Sequence, residues 1–159
     1  MRSEDTKGIR ELEIFQDFIK RSALRIDPDS VEKRKPPEPD ILCKHFDEGT
    51  IAFELVELCD PTLAVLLNNT SLELEFVYTS DPSVNIIRRK RTKLYQTEHP
   101  IELLCYTDGR IVTPDDVITP TIRPYFECNA SEFRRVWFRG DSTVEIIYDE
   151  LPSKSLNTD

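Results

Sequence analysis

Between residues 9 and 26, apolar side chains return at Leu12, Phe15 and Ile19 and at Ile14 and Phe18, the spacing of one face of an α-helix. Residues 27–38 then lose periodicity, and the run Lys33-Arg34-Lys35-Pro36-Pro37 reads as an extended, charged connector. Short apolar runs at 41–46 and 50–58 flank Asp47-Glu48-Gly49, the signature of a β-hairpin whose glycine supplies a positive φ. Asp60 and Pro61 predict a short helix that Asn68-Asn69 stop, and Leu72, Leu74, Phe76 and Tyr78 alternate against Glu73 and Glu75 as in a half-buried strand. Asp81-Pro82 opens a helix expected to run to about Gln96. Residues 101–106 are apolar enough for a central strand covered on both faces. Pro120 and Pro124 predict that 112–125 is mostly irregular. A second hairpin is expected from 133–138 and 143–148, turning at Arg139-Gly140-Asp141-Ser142.

Helices and strands alternating over 159 residues predict one α/β domain spanning 9–150, with a flexible N-terminus at 1–8 and a flexible polar tail at 151–159. No stretch approaches the roughly 18 apolar residues of a membrane span, and Met1-Arg2-Ser3-Glu4-Asp5 lacks the apolar core of a signal peptide, so a cytoplasmic protein without membrane contact is expected. Cys43, Cys59, Cys105 and Cys128 are far apart and without a CxxC pair, which favours reduced thiols over a zinc site built on Cys43 and His45. The formal net charge of −9 repels nucleic acid in bulk, so any such contact needs a concentrated basic surface. Arg88-Arg89-Lys90-Arg91-Thr92-Lys93 is the run that could supply it.

Three carboxylates stand out against apolar surroundings. Glu11 falls in the stripe of Phe15 and Phe18, where desolvation disfavours its charge unless a cation is near. Asp40 follows Pro39 at the start of one strand, and Glu54 lies within the next, sharing a face with Ala52, Val56 and Leu58. Acids from a helix and two adjacent strands suit a hard divalent cation such as Mg2+ or Mn2+, which binds oxygen ligands and can polarise a phosphate. His45 and His99 read as a strand-end and a turn residue, and Trp137 packs the second hairpin unless it stacks on a base.

A helical glutamate, then Pro39-Asp40, thirteen intervening residues and Glu54-Leu55-Val56 in an apolar strand resembles the restriction-endonuclease-like, PD-(D/E)XK, nuclease superfamily. The resemblance covers residues 9–106. It implies an α/β core with a mixed, mainly four-stranded sheet flanked by helices, here with an extra C-terminal hairpin, and metal-dependent cleavage of nucleic acid. Glu11, Asp40 and Glu54 match the helix glutamate, the aspartate and the acid of that pattern. The chain departs from it at Val56, which stands where the family carries a lysine. Two lysines could replace it: Lys44, on the face of Asp40 by strand parity, and Lys90, which helical projection places between Ile86 and Leu94.

The reading is then a Mg2+- or Mn2+-dependent nuclease acting on DNA. Asp40, Glu54 and Glu11 form the metal site, Lys90 or Lys44 supplies the catalytic cation, and Arg88, Arg89, Arg91 and Lys93 contact phosphates; a homodimer is one assembly it allows. The alternative is an inactive nuclease-fold module that binds nucleic acid or protein. An accessory role without nucleic acid also stays open, given the acidic surface.

Overall fold

The structure is a computed structural model that describes residues 4–60, 82–91, 93–128 and 131–150. The helix and strand expected from Pro61 to Tyr78, and the tail from 151, lie outside the described residues. The described residues form a six-stranded mixed sheet in the order β1 (Glu32–Lys33), β2 (Ile41–His45), β3 (Gly49–Glu57), β4 (Ile101–Tyr106), β5 (Phe133–Arg139) and β6 (Val144–Asp149). Strands β3, β4 and β5 are parallel, while β2 runs antiparallel to β1 and β3, and β6 antiparallel to β5. Helix α1 (Glu4–Ser22) covers one face, and α2 (Ser83–Arg91) and α3 (Asp115–Cys128) cover the other. This is the expected single α/β domain with a mixed sheet between helices. The C-terminal hairpin belongs to that sheet, because β5 pairs with β4.

The layers follow from alternation. Ile51, Phe53 and Leu55 of β3 point to α1 and meet Phe15 and Phe18, with the Phe15 and Phe53 ring centroids 5.0 Å apart. Ala52, Val56 and Leu58 point the other way, toward Ile87 of α2 and Ile118, Ile122 and Phe126 of α3. Gly49 turns the first hairpin with φ +81°, as its sequence predicts.

Three expectations need correction. The first helix, expected over residues 9–26, spans Glu4–Ser22. Residues 115–128 are helical despite Pro120 and Pro124. Both prolines sit on the exposed side, where carbonyls freed by the missing N–H groups meet water, while Ile118, Ile122 and Phe126 hold the opposite face in the core. The α2 helix ends at Arg91 instead of Gln96, and Leu94, expected inward, is 80% exposed.

Gly140 sits where the β5–β6 turn meets α3. Asp115 accepts hydrogen bonds there from the backbone N–H groups of Ser142 (3.0 Å) and Thr143 (3.2 Å). A Cβ on residue 140 would come within 2.2 Å of the Asp115 carboxylate. Gly140→Ala is therefore expected to destabilise the fold by about 1–3 kcal/mol, by displacing that carboxylate from its donors. An unchanged thermal midpoint in the variant would contradict this contact.

Candidate active site

The site forms where β2 and β3 part. Their ladder stops at the Ile41–Phe53 pair, and the Asp40 carboxylate then takes the place of the next backbone acceptor: Leu55 N–H donates to Asp40 Oδ2 at 2.9 Å. In return, Asp40 N–H donates to Glu54 Oε1 at 3.2 Å. Asp40, just ahead of β2, and Glu54, within β3, are thus each held by a backbone N–H, and Glu54 is 1% exposed.

The two carboxyls also hydrogen-bond each other. Burial pushes Glu54 above the ordinary carboxyl range, reinforced by the hydrogen bond to Asp40 and by its charge, with Lys90 pulling the other way. Burial also opposes the charge of Asp40. The bond from Glu54, the Leu55 N–H and the ammoniums of Lys33 and Lys90 outweigh it and hold Asp40 below its usual range. A proton shared by the pair is therefore held more readily by Glu54 than by Asp40.

Lys90 reaches this pair from α2. Ile87 is fully buried, and Lys90, three residues on, lies on the same helix face, with its Nζ 3.0 Å from Glu54 Oε2. Val56, at the position of the missing lysine, is packed into the α2–α3 core. Lys93 Nζ is 4.0 Å from the same Glu54 oxygen and lies over the Tyr95 ring, while the Tyr95 hydroxyl donates to the Lys90 carbonyl at 3.5 Å. Burial raises the Tyr95 pKa, and the nearby Glu54 carboxyl raises it further, so the phenol stays a donor.

Glu11 is buried in the α1 stripe, as its sequence position predicts, at 4% exposure. It does not converge directly with the other two acids. Lys33 of β1 stands between, its Nζ 2.5 Å from Glu11 Oε2 and 3.3 Å from Asp40 Oδ1. Among the described residues, no three acidic, histidine or cysteine side chains come close enough together to hold an ion by themselves. The three carboxylates lie in a line interleaved with two lysines: Glu11, Lys33, the Asp40–Glu54 pair, Lys90.

Lys44 lies away from this line. It is exposed and pairs with Thr50 near the hairpin turn, because the parity that matches it to Asp40 says nothing of the three residues separating them along the strand. Arg88 and Arg89 are exposed on α2, whereas the Arg91 side chain lies outside the described residues. His45 caps the hairpin turn by accepting the N–H groups of Asp47 and Glu48, each at 3.1 Å. Trp137 is buried and donates to Glu102 at 2.8 Å, so it packs the sheet rather than presenting a face to a base. The four cysteines are free.

Two site residues escape the sequence reading. Lys33 lies in the segment read as a connector, and its register against Ile41 brings it beside Asp40. Tyr95 falls in the stretch read as helix. The signal for Lys33 was the basic run just ahead of Pro39-Asp40; Tyr95 had none.

Beside Glu11 and Asp40 opens a cleft of about 660 Å³, whose walls include Lys7, Lys33, Lys35 and Pro36. No helix among the described residues is long and apolar enough to cross a membrane. Comparison with protein-family models, curated proteins and solved structures finds no match to this chain.

Proposed function

We propose that this chain is a metal-dependent phosphodiester hydrolase that cleaves nucleic acid, DNA in the first instance, from a divergent restriction-endonuclease-like site. The observation that carries the reading is the contact of Lys90 with Glu54. A lysine from a different element meets the motif acid although the motif's own lysine position holds a core valine.

Asp40 and Glu54 would hold the ion, and their chemistry fits one. They are two hard oxygen donors close enough to share a proton, a pair that a divalent cation would relieve. Magnesium commonly takes one or two carboxylates and fills its other positions with water or phosphate oxygen. Such an ion supplies Lewis-acid polarisation of a phosphoryl oxygen and an acidified attacking water. The protein's part is placement and charge. Leu55 N–H orients Asp40, Asp40 N–H restrains Glu54, and Lys90 offers an ammonium to the negative charge that grows on the phosphoryl oxygens.

The test is incubation of the purified protein with single- and double-stranded DNA and magnesium or manganese. Cleavage that requires the metal and disappears in Asp40→Ala is the expected result; intact DNA under all these conditions would sink the catalytic reading. Lys33 gives the binding-module alternative its own support, since it neutralises Glu11 and Asp40 without a metal. DNA binding without cleavage would favour that alternative.

Contact with DNA against a net charge of −9 must be local. Arg88 and Arg89 are exposed on the helix that carries Lys90. Arg88→Glu with Arg89→Glu is expected to weaken DNA binding, and each lost phosphate contact should flatten the slope of log affinity against log salt by about one. An unchanged salt slope in a titration series would place the DNA elsewhere.

A further inference from the structure

Lys33 joins two buried or partly buried acids from different parts of the fold, Glu11 on α1 and Asp40 ahead of β2. Its ammonium occupies the gap that separates Glu11 from the Asp40–Glu54 pair. The lysine stem is also part of the wall of the adjoining cleft, along with Lys7 and Lys35, and 29% of its side chain is exposed. It therefore has an open direction in which to turn, and its flexible four-carbon stem allows the movement.

We propose that Lys33 is a resident cation that stands between Glu11 and Asp40 in the metal-free protein and, when displaced, turns into the cleft as a phosphate ligand for the nucleic-acid strand. The proposal rests on the metal-dependent reading above. An ammonium hydrogen-bonded to two carboxylates competes with a divalent cation for the same oxygens. When Lys33 leaves, Glu11 keeps only its pairing with Lys7, 3.6 Å away on the exposed side of α1, and can turn its other oxygen to complete the acidic set. The released charge joins Lys7 and Lys35, so a cleft in which Glu11 and Asp40 are now engaged and Asp5 is the remaining acid becomes net basic. Nucleic acid would accordingly bind better after the metal than before it.

Lys33→Met removes the competitor and the phosphate ligand together. Calorimetry with manganese alone is expected to give at least about tenfold tighter binding than the native protein, the scale set by losing a charge-assisted hydrogen bond to the site. Anisotropy with a short DNA duplex, in calcium at saturation, is expected to give weaker binding. Because the variant leaves buried Glu11 with only the mostly exposed Lys7, 3.6 Å away, as its cation, Glu11→Gln with Lys33→Met serves as a charge-balanced second variant. It should fold and still bind manganese more tightly than Glu11→Gln alone. Manganese affinity that is unchanged or weaker in both Lys33 variants, with the native protein binding the ion, would overturn the resident-cation role and leave the metal reading standing. Undiminished duplex binding would overturn the phosphate-ligand role. Absence of manganese binding by the native protein as well would bring down both this proposal and the reading beneath it.

Discussion

Lys90→Met is expected to lower the turnover of metal-dependent DNA cleavage by about two to three orders of magnitude while leaving manganese affinity within a fewfold of native. The size follows from removing one preorganised positive group from a largely buried site, where developing charge is poorly screened. The metal-binding part of the expectation follows from geometry. Lys90 touches the outer oxygen of Glu54, whereas Asp40 and the other Glu54 oxygen are held by backbone N–H groups that the substitution does not reach. Methionine preserves most of the stem that packs beside Ile87, so the fold should persist. Single-turnover cleavage against calorimetric affinity separates the two effects; equal losses in both would make Lys90 a structural partner of Glu54 rather than a catalytic group.

Glu54→Gln should abolish cleavage and weaken manganese binding by at least about a hundredfold, yet leave the metal-free protein as stable as the native one or more so at neutral pH. Burial and Asp40 both oppose ionisation of Glu54, so its folded pKa lies above its unfolded value. The folded state then holds the proton more tightly, and stability falls as pH rises from the ordinary carboxyl range through the raised value. Glutamine is a neutral isostere that keeps an acceptor for Asp40 N–H and a donor toward Asp40, so it removes this penalty. Thermal melts of the metal-free variant that fall well below native across neutral pH would show that the charged Lys90–Glu54 pair, not the shared proton, governs the site.

Much of this arrangement was legible because charge interrupts apolar periodicity. Glu11 stands in a stripe of Phe15 and Phe18, and Glu54 among Phe53 and Leu55, so their burial could be read locally. Lys90 was legible in part: helical projection set it beside Ile86, although the other marker, Leu94, lies beyond the end of the helix and is exposed. What stayed hidden depends on pairing between distant segments. Lys33 gains its place from the β1–β2 register, and Glu102, in a strand read simply as apolar, is neutralised by Arg134 at 2.8 Å and accepts a hydrogen bond from Trp137, both on β5. The α3 helix was obscured by two prolines, although Ile118, Ile122 and Phe126 already carried the four-residue spacing of a buried face. There, tertiary packing outweighed local propensity.

A crystal of the protein soaked in manganese, with anomalous scattering collected at the manganese edge, tests the central claim most directly. The account predicts a peak within about 2.0–2.6 Å of carboxylate oxygens from both Asp40 and Glu54, with Lys90 retained beside the site and Lys33 turned into the cleft. No peak there at saturating manganese, with Lys33 still bridging Glu11 and Asp40, would contradict it.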